Sequence, residues 1–282
     1  LRFIMSSQSD STRLSTLPLD TLFSTFRMEG RNALSAPQLN DCAKLMDEGW
    51  AGPDFIDDDQ ADLANRYYEV FIAEENQVPT RTNWHDTFNA MMWIAFPRTK
   101  KRINTLHCEE IAQFGVHPRT PKRNRITHFD ECGLVIAVPQ DKLEIGNQLL
   151  ERLANHQWQE CLVDNQHEWG NTLFPMIIGH ALYEMLLDPF IGLTAKWLAV
   201  IVPAGFAKMD EKTRYTVMDV ALAERLTELD GLAAKNTLKP IPLLGIPGWY
   251  TEQTEAFYAD TGYFRPLAPN APATVQLPLC RT

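Results

Sequence analysis

Residues 83–96 read N-W-H-D-T-F-N-A-M-M-W-I-A-F. A helical wheel at about 100° per residue separates their chemistry from their core. Trp84, Phe88, Met91, Met92, Trp93, Ala95 and Phe96 cover most of the circumference. His85 and Asn89, four apart, fall inside that apolar arc between Phe88 and Trp93, and Asp86 borders the same patch. Polar side chains placed there need partners, because an unsatisfied buried polar group costs about 1–3 kcal/mol. Residues 174–187 repeat the construction: His180 and Glu184 share one face with Met176, Ile177, Tyr183 and Leu187. A His-x-x-x-Glu pair on a helix can ligate a metal or act as an oriented general acid or base. It can equally be an internal hydrogen-bonded pair that sets helix register.

A third contribution is expected from a hairpin. Residues 125–129 alternate, Asp130-Glu131-Cys132-Gly133 reads as a turn, and 134–138 is a β-branched apolar run. On that reading His128 and Asp130 share a face beside Glu131. If the three patches meet, His85, Asp86, Asn89, His180 and Glu184 form a catalytic set. His85, Asp86, His180, Glu184 and Asp130 would then offer a divalent metal its hard and borderline ligands. Arg98, Lys100 and Lys101, just past Pro97, would hold an anionic group. Convergence of the patches is the condition on which the site stands.

Other chemistries find no motif. The chain lacks a Walker loop, G-x-G-x-x-G, G-x-S-x-G, H-E-x-x-H and an EF-hand. Cys108 follows His107, but adjacent helix residues diverge by about 100°, so they should not pair as nucleophile and base.

The elements that must position these residues are mainly helices. A short helix is expected from Leu17 to Phe26, and a second after Ser35-Ala36-Pro37 as far as Glu48. A third is expected over 61–74, its N-terminus favoured by Asp57-Asp58-Asp59. The Trp-rich helix begins at Asn83, with Asp86 answering in the manner of a capping box, and stops before Pro97. Another covers 98–113. After the hairpin come a helix over 141–155, a buried helix from Asn171 or Thr172 to Leu187, a strand over 194–202 and an amphipathic helix over 210–229. An edge strand at 241–244 follows. The expected class is α+β, predominantly helical, with a small, mostly antiparallel sheet in the middle of the chain. The expected organisation is a disordered extension over 1–15, one globular domain over 16–263, and a Pro-rich tail over 264–282 that wraps the surface.

Composition bounds the function. The 282 residues are 45% hydrophobic and 22% charged, ordinary for a soluble globular protein. Five scattered Cys without a C-x-x-C pair argue against a disulfide framework or a zinc ribbon and suit a reducing compartment. No uncharged apolar run reaches the roughly 18 residues of a membrane span, and no signal-peptide core is visible. A cytoplasmic location without a membrane partner is the expectation. The net charge of −10 is uneven, since residues 98–125 carry eight basic side chains against Glu109 and Glu110. That basic segment invites a nucleic-acid or acidic-protein partner, unless its charges pair internally. Nothing in the pattern speaks to oligomeric state.

The chain resembles a bacterial family described as a domain of unknown function, number 3025. The likeness rests on Asn83-Trp84-His85-Asp86, Phe88-Asn89-Ala90, Trp93, Phe96-Pro97-Arg98 and Lys100. It continues in Phe129-Asp130-Glu131 with Gly133, Gly179-His180-Ala181 with Glu184, and Gly245-Ile246-Pro247-Gly248-Trp249. The resemblance implies no activity and no substrate. Two functions are therefore expected: an enzyme, as a metal-assisted hydrolase of a phosphorylated or anionic small molecule, or a non-catalytic binding module engaging RNA or an acidic protein through residues 98–125.

Overall fold

The computed structural model describes residues 17–28, 32–64 and 66–280; the extension over 1–15 lies outside them. The elements in chain order are α1 (Leu17–Thr25), α2 (Ala36–Met46), β1 (Asp54–Asp57), α3 (Tyr68–Glu75), β2 (Gln77–Thr80), α4 (Trp84–Ala95), α5 (Pro97–Phe114) and α6 (Pro121–Cys132). They continue as β3 (Gly133–Pro139), α7 (Leu143–Ala154), β4 (Phe174–Ile177), α8 (His180–Met185), β5 (Thr194–Val202), α9 (Glu211–Glu228), β6 (Lys239–Pro242) and α10 (Glu255–Tyr258). About 52% of the described residues are helical against 13% strand, so helix predominates in an α+β fold.

Local chemistry explains most boundaries. Asn83 Oδ1 accepts from the Asp86 amide at 2.8 Å and starts α4. Pro97 then separates α4 from α5, with Phe96 in a non-helical conformation between them. The Asp86 carboxylate does not complete a capping box. It turns to Arg81, accepting from the backbone amide at 2.7 Å and from Nε at 2.9 Å.

The expected hairpin over 125–138 is instead a helix followed by a strand. Thr120 caps α6 by accepting from the Arg123 amide, and Pro121 occupies its first turn. The buried residues Arg123, Ile126 and Phe129 recur every three positions, a helical period that overrides the short alternation. His128 and Asp130 therefore point apart. The helix expected through 174–187 is also divided. Phe174–Ile177 pairs antiparallel with β3, and Gly179 precedes the short α8. The third helix starts at Tyr68, and Asp54–Asp57, ending on the first residue of the Asp cluster, forms β1, which runs parallel to β2.

The larger sheet has the order β4-β3-β5-β6, antiparallel at both edges and parallel between β3 and β5. It is a mixed sheet, and the two-stranded β1–β2 sheet is parallel. The central strand β3 is buried along its whole length. Helices α6, α7 and α9 pack on these strands, while α3, α4, α5 and α8 pack on one another beside them. One continuous apolar cluster joins Leu19 near the start to Leu279 near the end. Residues 265–280 form no helix or strand, yet Gln276 and Leu279 are buried.

Candidate functional site

A cavity of about 360 Å³ opens among α3, α4, α5, α6 and α8. Helical periodicity decides which side chains reach it. Lys100, Ile103, Asn104 and His107 sit at i, i+3, i+4 and i+7 of α5 and line one wall. His85, Asp86, Asn89 and Trp93 come from α4, Tyr68 and Glu69 from α3, Asp130 and Glu131 from α6, and His180 from α8.

Two glycines let these helices meet. The Gly133 carbonyl accepts from the Gly179 amide at 2.9 Å, so the end of α6 crosses the start of α8. A Cβ on Gly179 would lie 2.4 Å from the Glu131 carbonyl oxygen and 2.4 Å from the Gly133 nitrogen. A Cβ on Gly133 would lie 2.2 Å from the Phe129 carbonyl oxygen. Only bare backbone fits, and this crossing brings Asp130 beside His180.

The polar groups form linked pairs. His85 Nδ1 lies 2.8 Å from Glu184 Oε2, a contact between residues 99 apart in sequence. The His85 ring meets the His180 ring edge-on, with centroids 4.7 Å apart. His180 Nδ1 is 3.8 Å from Asp130 Oδ2, too far for a hydrogen bond. Lys100 Nζ donates to Asp130 Oδ1 at 2.5 Å and to Asn89 Oδ1 at 2.9 Å, and sits 5.6 Å from the centre of the Trp93 ring. Asn89 Nδ2 donates in turn to Tyr68 Oη at 3.4 Å. A second histidine–carboxylate approach joins His107 Nδ1 and Glu69 Oε1 at 3.7 Å.

Burial sets the protonation states. His180 and His107 are 6% and 4% exposed. Desolvation lowers both imidazoles to a pKa of about 4, so each is neutral at pH 7. Burial alone would raise the Asp130 carboxyl, but Lys100, together with His180 and His107, holds the group below the usual carboxylate range. Desolvation raises the Glu69 carboxyl. His85 is different. Its side chain is 41% exposed, so it stands at the mouth instead of inside the apolar arc.

The chain matches the family described as Protein of unknown function (DUF3025) over residues 53–268. It belongs to this family. No curated protein and no solved structure matches it. Three of the stretches that carry the family likeness, around His85, Asp130 and His180, line the same cavity. The fourth, at 245–249, lies elsewhere: Ile246, Pro247 and Trp249 line a separate aromatic cavity with Trp169 and Phe174.

Of the residues singled out in this family member's sequence, His85, Asp86, Asn89, Lys100, Asp130 and His180 line one cavity, and Glu184 joins them through His85. His180 and Glu184 do not pair with each other. Arg98 and Lys101 are exposed and line a neighbouring groove with Trp50 and Asn76, so the expected trio of anion-holding cations is not assembled. Lys100 alone reaches the cavity, already paired with Asp130. Tyr68, Glu69, Asn104 and His107 were not anticipated as members. The i, i+4, i+7 spacing from Lys100 was the available signal for Asn104 and His107.

The basic segment is largely spent inside the fold. Arg102 meets Glu109, Lys122 lies between Glu110 and Asp230, and Arg125 donates to the carbonyls of Leu232 and Ala233. Arg123 is fully buried over the Tyr67 ring. Among the described residues no helix is long and apolar enough to cross a membrane. Among the same residues, no group of three or more His, Cys, Asp or Glu side chains is placed to hold a metal ion.

Proposed function

We propose that the cavity is the active site of an enzyme that hydrolyses a small polar molecule by general acid–base catalysis. The observation that carries this reading is the His85–Glu184 pair at the cavity mouth. A carboxylate that accepts from Nδ1–H fixes the tautomer and leaves Nε2 as a proton acceptor. Its partial exposure gives that nitrogen access to solvent water. In the proposed step a water proton passes to His85 Nε2 as the water oxygen attacks the substrate. The imidazolium formed is stabilised by Glu184 and returns the proton to the leaving group. Neutral His180, edge-on to His85, and the Lys100–Asp130 pair behind it orient the substrate.

The metal-assisted version has weaker support. Asp86 is committed to Arg81, Asp130 to Lys100 and Glu184 to His85, so each candidate carboxylate ligand already has a partner. Purified protein assayed against p-nitrophenyl esters, phosphates and glycosides should turn over one class. His85→Gln should lower that rate by roughly 10²–10⁴-fold, the usual contribution of a positioned base. Turnover unchanged in His85→Gln would overturn the assignment.

A further inference from the structure

Taking the cavity as an active site, we infer that its substrate carries a positively charged amine. Five carboxylates line the cavity (Asp58, Glu69, Asp86, Asp130 and Glu131) against three permanent cations, Arg81, Lys100 and Arg119. Two of those cations are spent locally, Arg81 on Asp86 and Lys100 on Asp130. Arg119 is left to offset the remaining three carboxylates, and its guanidinium donates to Tyr67 Oη at 2.7 Å. An anion entering this space meets net negative charge, whereas a cation is drawn in.

A second, independent observation points to a ligand that brings N–H donors. Nδ1 of His107 and Nδ1 of His180 are buried without a hydrogen-bond partner, and both rings line the same cavity. Held neutral in the Nε2–H tautomer, each imidazole presents Nδ1 as a hydrogen-bond acceptor. An ammonium group has three donors and no acceptor, which suits two histidines and the Glu69 carboxylate. Burial raises the Glu69 carboxyl, and a bound cation would offset that desolvation. Tyr68 and Trp93 add aromatic faces, which attract cations. A divalent metal meets the same field, but the donors are not grouped to coordinate one.

The probe is 1,4-diaminobutane, with 1,4-butanediol as its uncharged counterpart, and inorganic phosphate and magnesium as the competing classes. Thermal unfolding of the full chain should shift upward, saturably, with the diamine and not with the other three. The shift should shrink as ionic strength rises. Glu69→Gln should weaken diamine affinity by roughly tenfold, an effect of about 1.4 kcal/mol. Glu144→Gln, an exposed change on α7, should leave it unaltered. Glu131→Gln at the exposed rim serves if Glu69→Gln does not fold, and should also weaken binding. No shift with the diamine, an equal shift with the diol, or a shift with phosphate or magnesium instead would overturn the inference. Binding requires no turnover, so an active His85→Gln enzyme would remove the proposed mechanism and leave the ligand class standing.

Discussion

His180 shows how far a single residue's chemistry depends on what surrounds it. Its type and its spacing from Glu184 suggest a pair within one helix. In the fold its neighbours are His85 and Asp130, and Glu184 serves His85 instead. Burial then fixes its charge. Unfolded, the His180 and His107 imidazoles titrate near pH 6.5; folded, near 4. Between those values the unfolded chain binds the extra protons. Stability from this source is therefore complete above about pH 6.5 and lost as pH falls towards 4. Each histidine accounts for on the order of 2–3 kcal/mol of that loss. Urea unfolding followed from pH 7 to 4.5 should show the decline, and His180→Gln should remove roughly half of it. The same decline in wild type and variant would contradict the burial argument. Asp130 has a depressed carboxyl, so its contribution is lost only below the usual Asp range and does not overlap this window.

At the scale of elements, the cavity depends on how helices start and cross. Helix α5 has no cap of its own, because Phe96 offers no side-chain acceptor. Asp219 of α9 supplies it, accepting from the Arg98 and Thr99 amides at 3.0 and 2.8 Å. That cap lies 121 residues from Arg98, so no local pattern announces it. The Gly133–Gly179 crossing is similar: both glycines stand out in sequence, but only the fold shows that they touch. Gly179→Ala should cost more than about 2 kcal/mol, because backbone atoms that cannot yield occupy the Cβ position. Gly170→Ala is the comparison. Gly170 has a φ of +83° and open space around it, so its loss should cost only about 1 kcal/mol of backbone strain. Chemical denaturation of both variants would test this, and equal costs would refute the steric account.

Across the whole molecule, polar side chains extend sheets where strands stop. Strand β6 pairs with β5 only as far as Trp197. Beyond it the buried Gln276 amide takes over: Oε1 accepts from the Ala199 amide at 2.8 Å, and Nε2 donates to the Trp197 and Thr237 carbonyls. Asn40 does the same for β1, exchanging two 2.8 Å bonds with the Phe55 backbone. The Pro-rich tail is thus tied into the sheet through Gln276, and Lys239 Nζ of β6 adds a bond to the Pro272 carbonyl at 2.7 Å. Gln276→Ala should lower unfolding free energy by about 1–3 kcal/mol, since it strands buried backbone groups. Val275→Ala, at an exposed neighbour, should have little effect. A denaturation midpoint that ignores Gln276→Ala would refute the sheet-extending role of this side chain.

The sequence alone determined what is local. Pro97 divides α4 from α5, Asn83 caps α4, and residues 194–202 form a strand, because each follows from backbone sterics or a short hydrophobic period. It also marked His85, Asn89 and His180 as polar groups in need of partners. It misjudged 125–132 because a five-residue alternation and a three-residue period coexist there, and packing of Ile126 and Phe129 decided between them. Only the tertiary structure decided the partners, since Lys100 meets Asp130 across 30 residues and His85 meets Glu184 across 99. Pairings at that separation depend on how helices cross, and the crossing depends on which surfaces bury one another.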